Sequence, residues 1–214
     1  MGERKMPSDA WIDSDEAGFD RAVGFFDATF ALALTLLVTT IQVEDREEAF
    51  SSVGALWDSL GDQLISFGIA FAVISNYWLV HHRLFRRFSR LDYRTIVANL
   101  FLMAAIVLLP FCTESVGDLE ADLPLPVVVM ALDIVAVSGL STVVFWLAVR
   151  RGLFAEKPDR VGVITHSVAG LLPAIVFAAS IPIAYLVSPQ AAALSWLSLL
   201  VLAPLAPRLV TRTA

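Results

Sequence analysis

Six long apolar stretches, at about 22–43, 62–84, 95–115, 123–149, 162–187 and 189–207, divide the chain and are separated by charged or proline-containing breaks. Each approaches the ~20 residues that a helix needs to cross a hydrocarbon core ~30 Å thick at ~1.5 Å per residue. Lipid offers no partner to an open strand edge, so all six are expected to be helical. No internal repeat, Gly/Ser linker or low-complexity block interrupts them. The pattern predicts an all-α integral membrane protein of six transmembrane helices. A polar N-terminal tail over 1–20 would precede one transmembrane domain over 21–208, and a short tail over 209–214 would close the chain.

Composition places the chain in the same class: 57% of its 214 residues are hydrophobic, 17% are charged, and the mean hydropathy is +0.74. A soluble domain has closer to about a quarter of its residues charged. A net charge of −6 gives no footing for nucleic acid, and the placement of the charges says more than their sum. Fourteen of the fifteen Lys and Arg fall on one side of a six-span layout, with Arg46 the exception. The positive-inside rule then puts both termini in the cytoplasm, with the spans in a lipid bilayer. The first twenty residues hold six acids, two bases and no apolar core, so a cleaved signal peptide is not expected. The opposite side carries Glu44, Asp45, Glu47, Glu48 and Asp58 in one loop and Glu114, Asp118, Glu120 and Asp122 in the next. These are either ordinary solvated loops or a rim that concentrates cations. The single cysteine, Cys112, forms no intramolecular disulfide, and no Cys-based metal site is suggested. Neither a Ser-His-Asp grouping, a His-Glu-x-x-His zinc motif nor a pair of catalytic carboxylates is recognisable, so an enzyme is not expected.

Depth follows from helical rise. Asp27 lies about 9 Å above Arg21, while Asn99 above Arg94 and His81 above Arg86 each lie about 7.5 Å, all from the basic side. Polar groups on spans one, two and three therefore share a level. An ionisable residue within a span normally faces a partner or water. A hydrogen-bonded cluster pinning the three helices is expected, with Asp27 as acceptor and His81 or His82, Asn99 and Trp78 as donors. Adjacent histidines point about 100° apart on a helix and cannot easily share a metal ion. A proton relay through Asp27 and the histidines remains open. Asp133, within span four, would pair with a Ser or Thr of a neighbouring helix or lie in a water-filled crevice.

With Leu32 at zero and ~100° per residue, Leu36 falls near 40°, Val43 near 20°, Thr39 near −20° and Thr35 near −60°, while Asp27 points the other way at about 220°. The first span thus has a polar anchor behind and a Leu/Thr stripe in front. In isolation such a stripe reads as a helix-packing surface.

The stretch "RAVGFFDATFALALTLLV" resembles the first helix of the transmembrane protein 175 family, the endosomal and lysosomal potassium channels and their bacterial relatives. That family's signature is Arg-x-x-x-Phe-Ser-Asp followed by a Leu/Ile/Thr pore stripe. "ISFGIAFAVISNYWLVHHRLF" is similar to the family's second helix and "ANLFLMAAIVLLPF" to its third. The resemblance covers roughly residues 21–115. It implies a homotetramer of single six-helix repeats whose pore is lined by helix 1, without a re-entrant filter. Carried over, Arg21, Phe25 and Asp27 take the signature positions and join Trp78, His81, His82 and Asn99 in the structural cluster. Leu32, Leu36 and Thr39 form the pore constriction, and Thr35 takes the position linked to potassium preference. The resemblance implies K⁺ as permeant ion, other monovalent cations being left open, and no cofactor or metal. Phe26 stands where the signature has serine, and Thr39 where bacterial relatives often have leucine. Leucine rings would gate by dewetting, and threonine hydroxyls would help a partly dehydrated cation. The alternative is a proton-coupled transporter using Asp27 and His81 or His82. The inverted repeat and paired broken helices of many transporters are not recognisable.

Overall fold

The computed structural model describes residues 11–43, 45–116 and 123–205. The expected tail over 209–214 lies outside them, as do Arg4, Lys5, Glu44, Asp118, Glu120, Asp122, Arg208 and Arg212. A strand β1 (Trp11–Asp13) leads into α1 (Ala17–Leu36), which tightens into a 3₁₀ turn over Leu37–Thr40. A four-residue helix α2 (Arg46–Ala49) precedes α3 (Val53–Phe85). Strand β2 (Arg90–Asp92) and α4 (Tyr93–Val116) follow, then α5 (Pro124–Arg151), α6 (Arg160–Leu186) and α7 (Pro189–Ser195). A second 3₁₀ turn, Trp196–Ser198, continues α7 into an apolar helical segment that reaches Leu205.

Among the described residues the fold is all-α apart from one two-stranded pairing and an isolated bridge between Phe88 and Phe154, and the chain is a multi-pass membrane protein. Among the described residues five helices are long and apolar enough to cross a bilayer, where the apolar pattern predicts six. The sixth stretch forms the shorter segment Pro189–Leu205, interrupted by its 3₁₀ turn. The second span starts earlier than position 62. Ser52 caps α3 by accepting from the Ala55 amide at 3.0 Å, and the helix runs 33 residues. At about 50 Å it is longer than a hydrocarbon core about 30 Å thick requires, and Asp58 and Asp62 in its early turns are exposed. Pro173 and Pro182 lie inside a continuous α6.

Residues 11–20, expected as part of a polar tail, form a strand and the start of a helix. Trp11, Ile12 and Asp13 pair antiparallel with Asp92, Leu91 and Arg90, and α1 begins at Ala17. The guanidinium groups of Arg90 and Arg151 lie 4.2 and 5.1 Å from the Trp11 ring centroid, so cation–π attraction fixes the strand. The fully buried Asp92 carboxylate accepts from the Thr95 amide at 3.1 Å, capping α4, and from Arg151 Nε at 2.7 Å. Arg90 donates to the Gly152 carbonyl, and Gly152, at φ +66°, ends α5 in the left-handed conformation that glycine adopts most easily. The arginine-rich connections thus form a clasp that joins β1, α4 and α5 at the basic end.

The apolar core lies where α4 meets α1, α3 and α5, while α5 packs on α6 and α6 on α7. Phe26, Phe30, Leu37, Ile106, Leu109 and Ile134 are essentially fully buried there. Phe19, Phe26, Phe30, Ala33 and Leu37 recur at helical spacing and anchor one face of α1 to this core.

Candidate functional site

The other face of α1 is left largely uncovered by the described residues. Phe25, Leu32 and Val38 are 56, 55 and 61% exposed, Arg21, Gly24, Ala28, Ala31, Thr35 and Thr39 are also exposed, and Leu36 is half-buried. Against Leu32 at zero, Phe25 falls near 20° and Arg21 near −20°. Both therefore share the front face with Leu32 and Leu36 and stand away from Asp27 on the back.

The 3₁₀ turn rearranges the far end of this face. At ~120° per residue, Thr39 eclipses Leu36, and Val38 swings to near −80°, beside Thr35. Periodicity at ~100° missed Val38. The signal was in the run of β-branched residues Val38, Thr39 and Thr40, which lose χ1 freedom in an α-helix. The hydroxyls are oriented by the helix itself: Thr35 Oγ1 donates to the Leu32 carbonyl and Thr39 Oγ1 to the Leu36 carbonyl, both at 2.7 Å. A hydroxyl whose hydrogen is used in this way keeps acceptor lone pairs for a cation.

Behind the stripe, the predicted single polar cluster is two separate pairs. Trp78 Nε1 donates to Asp27 Oδ1 at 2.9 Å, with His82 Nδ1 at 3.8 Å from Asp27 Oδ2. His81 Nε2 donates instead to Asn99 Oδ1 at 3.0 Å. Consecutive residues diverge by about 100° around α3, so His81 turns to α4 and His82 to α1. Asp27 and His82 are each about one-third exposed in the chain. Phe26, at the position of the signature serine, is buried edge-on to His81 and Phe85, with centroids at 5.9 and 5.4 Å. Phe85 stacks on His81 at 4.3 Å, so aromatic packing occupies the place where a hydroxyl would bond.

The acidic end of α1 is fastened by groups the sequence reading overlooked. The Gln42 amide donates to Gln63 Oε1 at 2.7 Å, Gln63 Nε2 to the Gln42 carbonyl at 2.9 Å, and Gln42 Nε2 to Glu114 Oε1 at 3.0 Å. Amide side chains flanking spans carry no periodic signal, so pairing across α3 and α4 shows only in the fold. Asp133 is buried at the contact of α5 with α4, facing the Cys112 thiol rather than a Ser or Thr. Among the described residues no group of three or more His, Cys, Asp and Glu is placed to hold a metal ion.

The family model described as endosomal/lysosomal potassium channel TMEM175 matches residues 21–110. A potassium channel of Streptomyces collinus is 30% identical over 65% of this chain and 69% of its own length. A potassium channel of Chamaesiphon minutus is 32% identical over 46% of this chain and 49% of its own length, so the match spans about half of that relative. The crystal structure of a lysosomal potassium-selective channel TMEM175 homologue from Chamaesiphon minutus superposes with a TM-score of 0.72 at 21% identity. That likeness covers 90% of this chain and 99% of the other, and it bears on the fold alone.

Proposed function

The chain belongs to the endosomal/lysosomal potassium channel TMEM175 family, and on that premise we propose that it is a potassium-preferring cation channel. Four copies place the front faces of α1 around one conduction path. The reading rests on one observation above all: α1 buries one face in the core and leaves Leu32, Thr35 and Thr39 exposed on the other, in a helix that lies in the membrane. Rings of Leu32 and Leu36 form an apolar constriction that excludes water when closed, with Thr39 at its outer end. Thr35 hydroxyls supply acceptor oxygens to an ion that has lost part of its hydration shell. Arg21 and Phe25 stand on the same face at the basic mouth. Asp27–Trp78 holds α1 against α3, His81–Asn99 holds α3 against α4, and the Gln42–Gln63–Glu114 set fastens the other end of the first span to both. In a bacterial inner membrane the basic clasp faces the cytoplasm, as do both termini.

Planar-bilayer recording of the purified protein under opposed K⁺ and Na⁺ gradients tests the reading. Single-channel steps that reverse toward the K⁺ equilibrium potential are expected. The contact of His82 with Asp27 keeps a second reading in view, a proton-coupled carrier. Electrically silent or strictly proton-coupled turnover in the same bilayer would favour the carrier over the channel.

A further inference from the structure

We propose that a groove on the membrane-facing side of α5 and α6 binds a phospholipid with an anionic headgroup, its acyl chain lying along α5 and its phosphate at the basic end. The inference rests on the chain's membrane location and is independent of the pore reading. The groove is a hollow of about 570 Å³ lined mainly by apolar residues, among them Val135, Gly139, Val143 and Trp146 of α5 and Leu171 of α6, with Thr142 at its side and Arg150 at one end. The α5 positions recur every three or four residues, so they form one face. From Val135 to Arg150 that face runs about 22 Å, the greater part of the depth of one hydrocarbon core.

Two glycines make the hollow. A Cβ on Gly170 would stand 2.8 Å from Thr142 Oγ1, so α6 approaches α5 closely there. A Cβ on Gly139 would meet nothing within 4 Å, which leaves the space beside that contact open. The chemistry changes with depth as a lipid's does. Apolar walls fill the lower part, and Trp146 stands higher, its indole N–H donating to Ser167 Oγ at 3.0 Å. The Arg150 guanidinium lies 5.6 Å from the Trp146 ring centroid. Arg160 precedes Leu171 by eleven residues and so falls within about 20° of it on the same face of α6, at the same end of the bundle. An apolar slot with an aromatic ring and Arg150 at its upper end, and Arg160 beyond it on α6, complements an acyl chain below a phosphate. A zwitterionic lipid would fill the slot but gain less from the cations.

Thermal unfolding and native mass spectrometry of the detergent-purified protein, with added phosphatidylglycerol or phosphatidylcholine, test the proposal. Phosphatidylglycerol should raise the melting temperature more than phosphatidylcholine and remain bound in the gas phase. Arg150→Gln should lower the apparent affinity for phosphatidylglycerol roughly fivefold, the factor one arginine contributes near an anionic surface, and leave phosphatidylcholine unchanged. Gly139→Leu should abolish retention of both lipids while the lipid-free protein melts as the wild type does. Val143→Trp fills the same slot from a half-exposed position and should do likewise should Gly139→Leu fold poorly. Equal retention of the two lipids by the wild type, or undiminished retention by both slot-filling variants, would overturn the proposal. So would an assembly that dissociates on filling the slot whether or not lipid is present, since the groove would then be a contact between copies of this chain.

Discussion

At Thr35 the side chain donates its hydrogen to the Leu32 carbonyl and keeps its lone pairs on the exposed face of α1. Valine at that position preserves the shape and removes the oxygen. In Thr35→Val the reversal potential under opposed K⁺ and Na⁺ is expected to move toward zero, or conduction to stop because the longer apolar barrier dewets. Normal conduction with intact potassium preference would pass the role to Thr39, whose hydroxyl is oriented in the same manner. Shortening Leu32 or Leu36 to alanine would widen the proposed apolar ring and let water stay in it, so basal current should rise several-fold. Unchanged open probability in both variants would mean that α1 does not line the path. On the back of the helix, Asp27→Ala leaves the Trp78 N–H without its acceptor, at a cost of about 1–3 kcal/mol, with the lower end expected because the carboxylate is one-third exposed. Melting temperature should fall, and Asp27→Asn, which keeps an acceptor for Trp78, should restore most of it. An Asp27→Asn protein that is fully stable but loses only a pH dependence of transport would point to the carrier reading.

Among the elements, the basic clasp ties β1, α4 and α5 together through Asp92, Arg90 and Arg151. Asp92→Ala removes the cap of α4 and one partner of the part-exposed Arg151, at a cost toward the upper end of about 1–3 kcal/mol because Asp92 itself is fully buried. Thermal unfolding should show a drop larger than that for Asp27→Ala, and an equal or smaller drop would mean that the clasp is peripheral to stability. The apolar helices were legible in the sequence because burial in lipid demands long uninterrupted runs, and α1, α4, α5 and α6 begin and end near the charged breaks that bound those runs. The clasp was not legible. Its strands are three residues each, and they owe their pairing to contacts between Trp11, Arg90 and Arg151 that are distant in sequence. The start of α3 was missed for a related reason: Asp58 and Asp62 end an apolar pattern without ending a helix that Ser52 caps further on. Within the site, the Leu/Thr stripe and the polar layer could be read from periodicity. Val38, the split of the histidines into two pairs and the Gln42–Gln63–Glu114 fastening depend on a tightened turn and on neighbouring helices.

For the whole molecule the arrangement sorts its surfaces. One face of α1 is anchored, the other is exposed, and α5 with α6 lies away from it behind α4. Four such units around an axis would bring the exposed α1 faces together and turn the α5–α6 groove toward lipid. The central claim is that the face bearing Leu32 lines the path of the ions, and Leu32→Cys exposes that claim to a chemical test. Current through the variant is recorded before and after a cationic thiol reagent, the native Cys112 being buried and slow to react. A ring of added positive charge at the constriction should abolish most of the current within the labelling time while leaving the wild type unaffected. Full labelling of the cysteine, verified by mass, with the current and its potassium preference unchanged would contradict a pore lined by this helix.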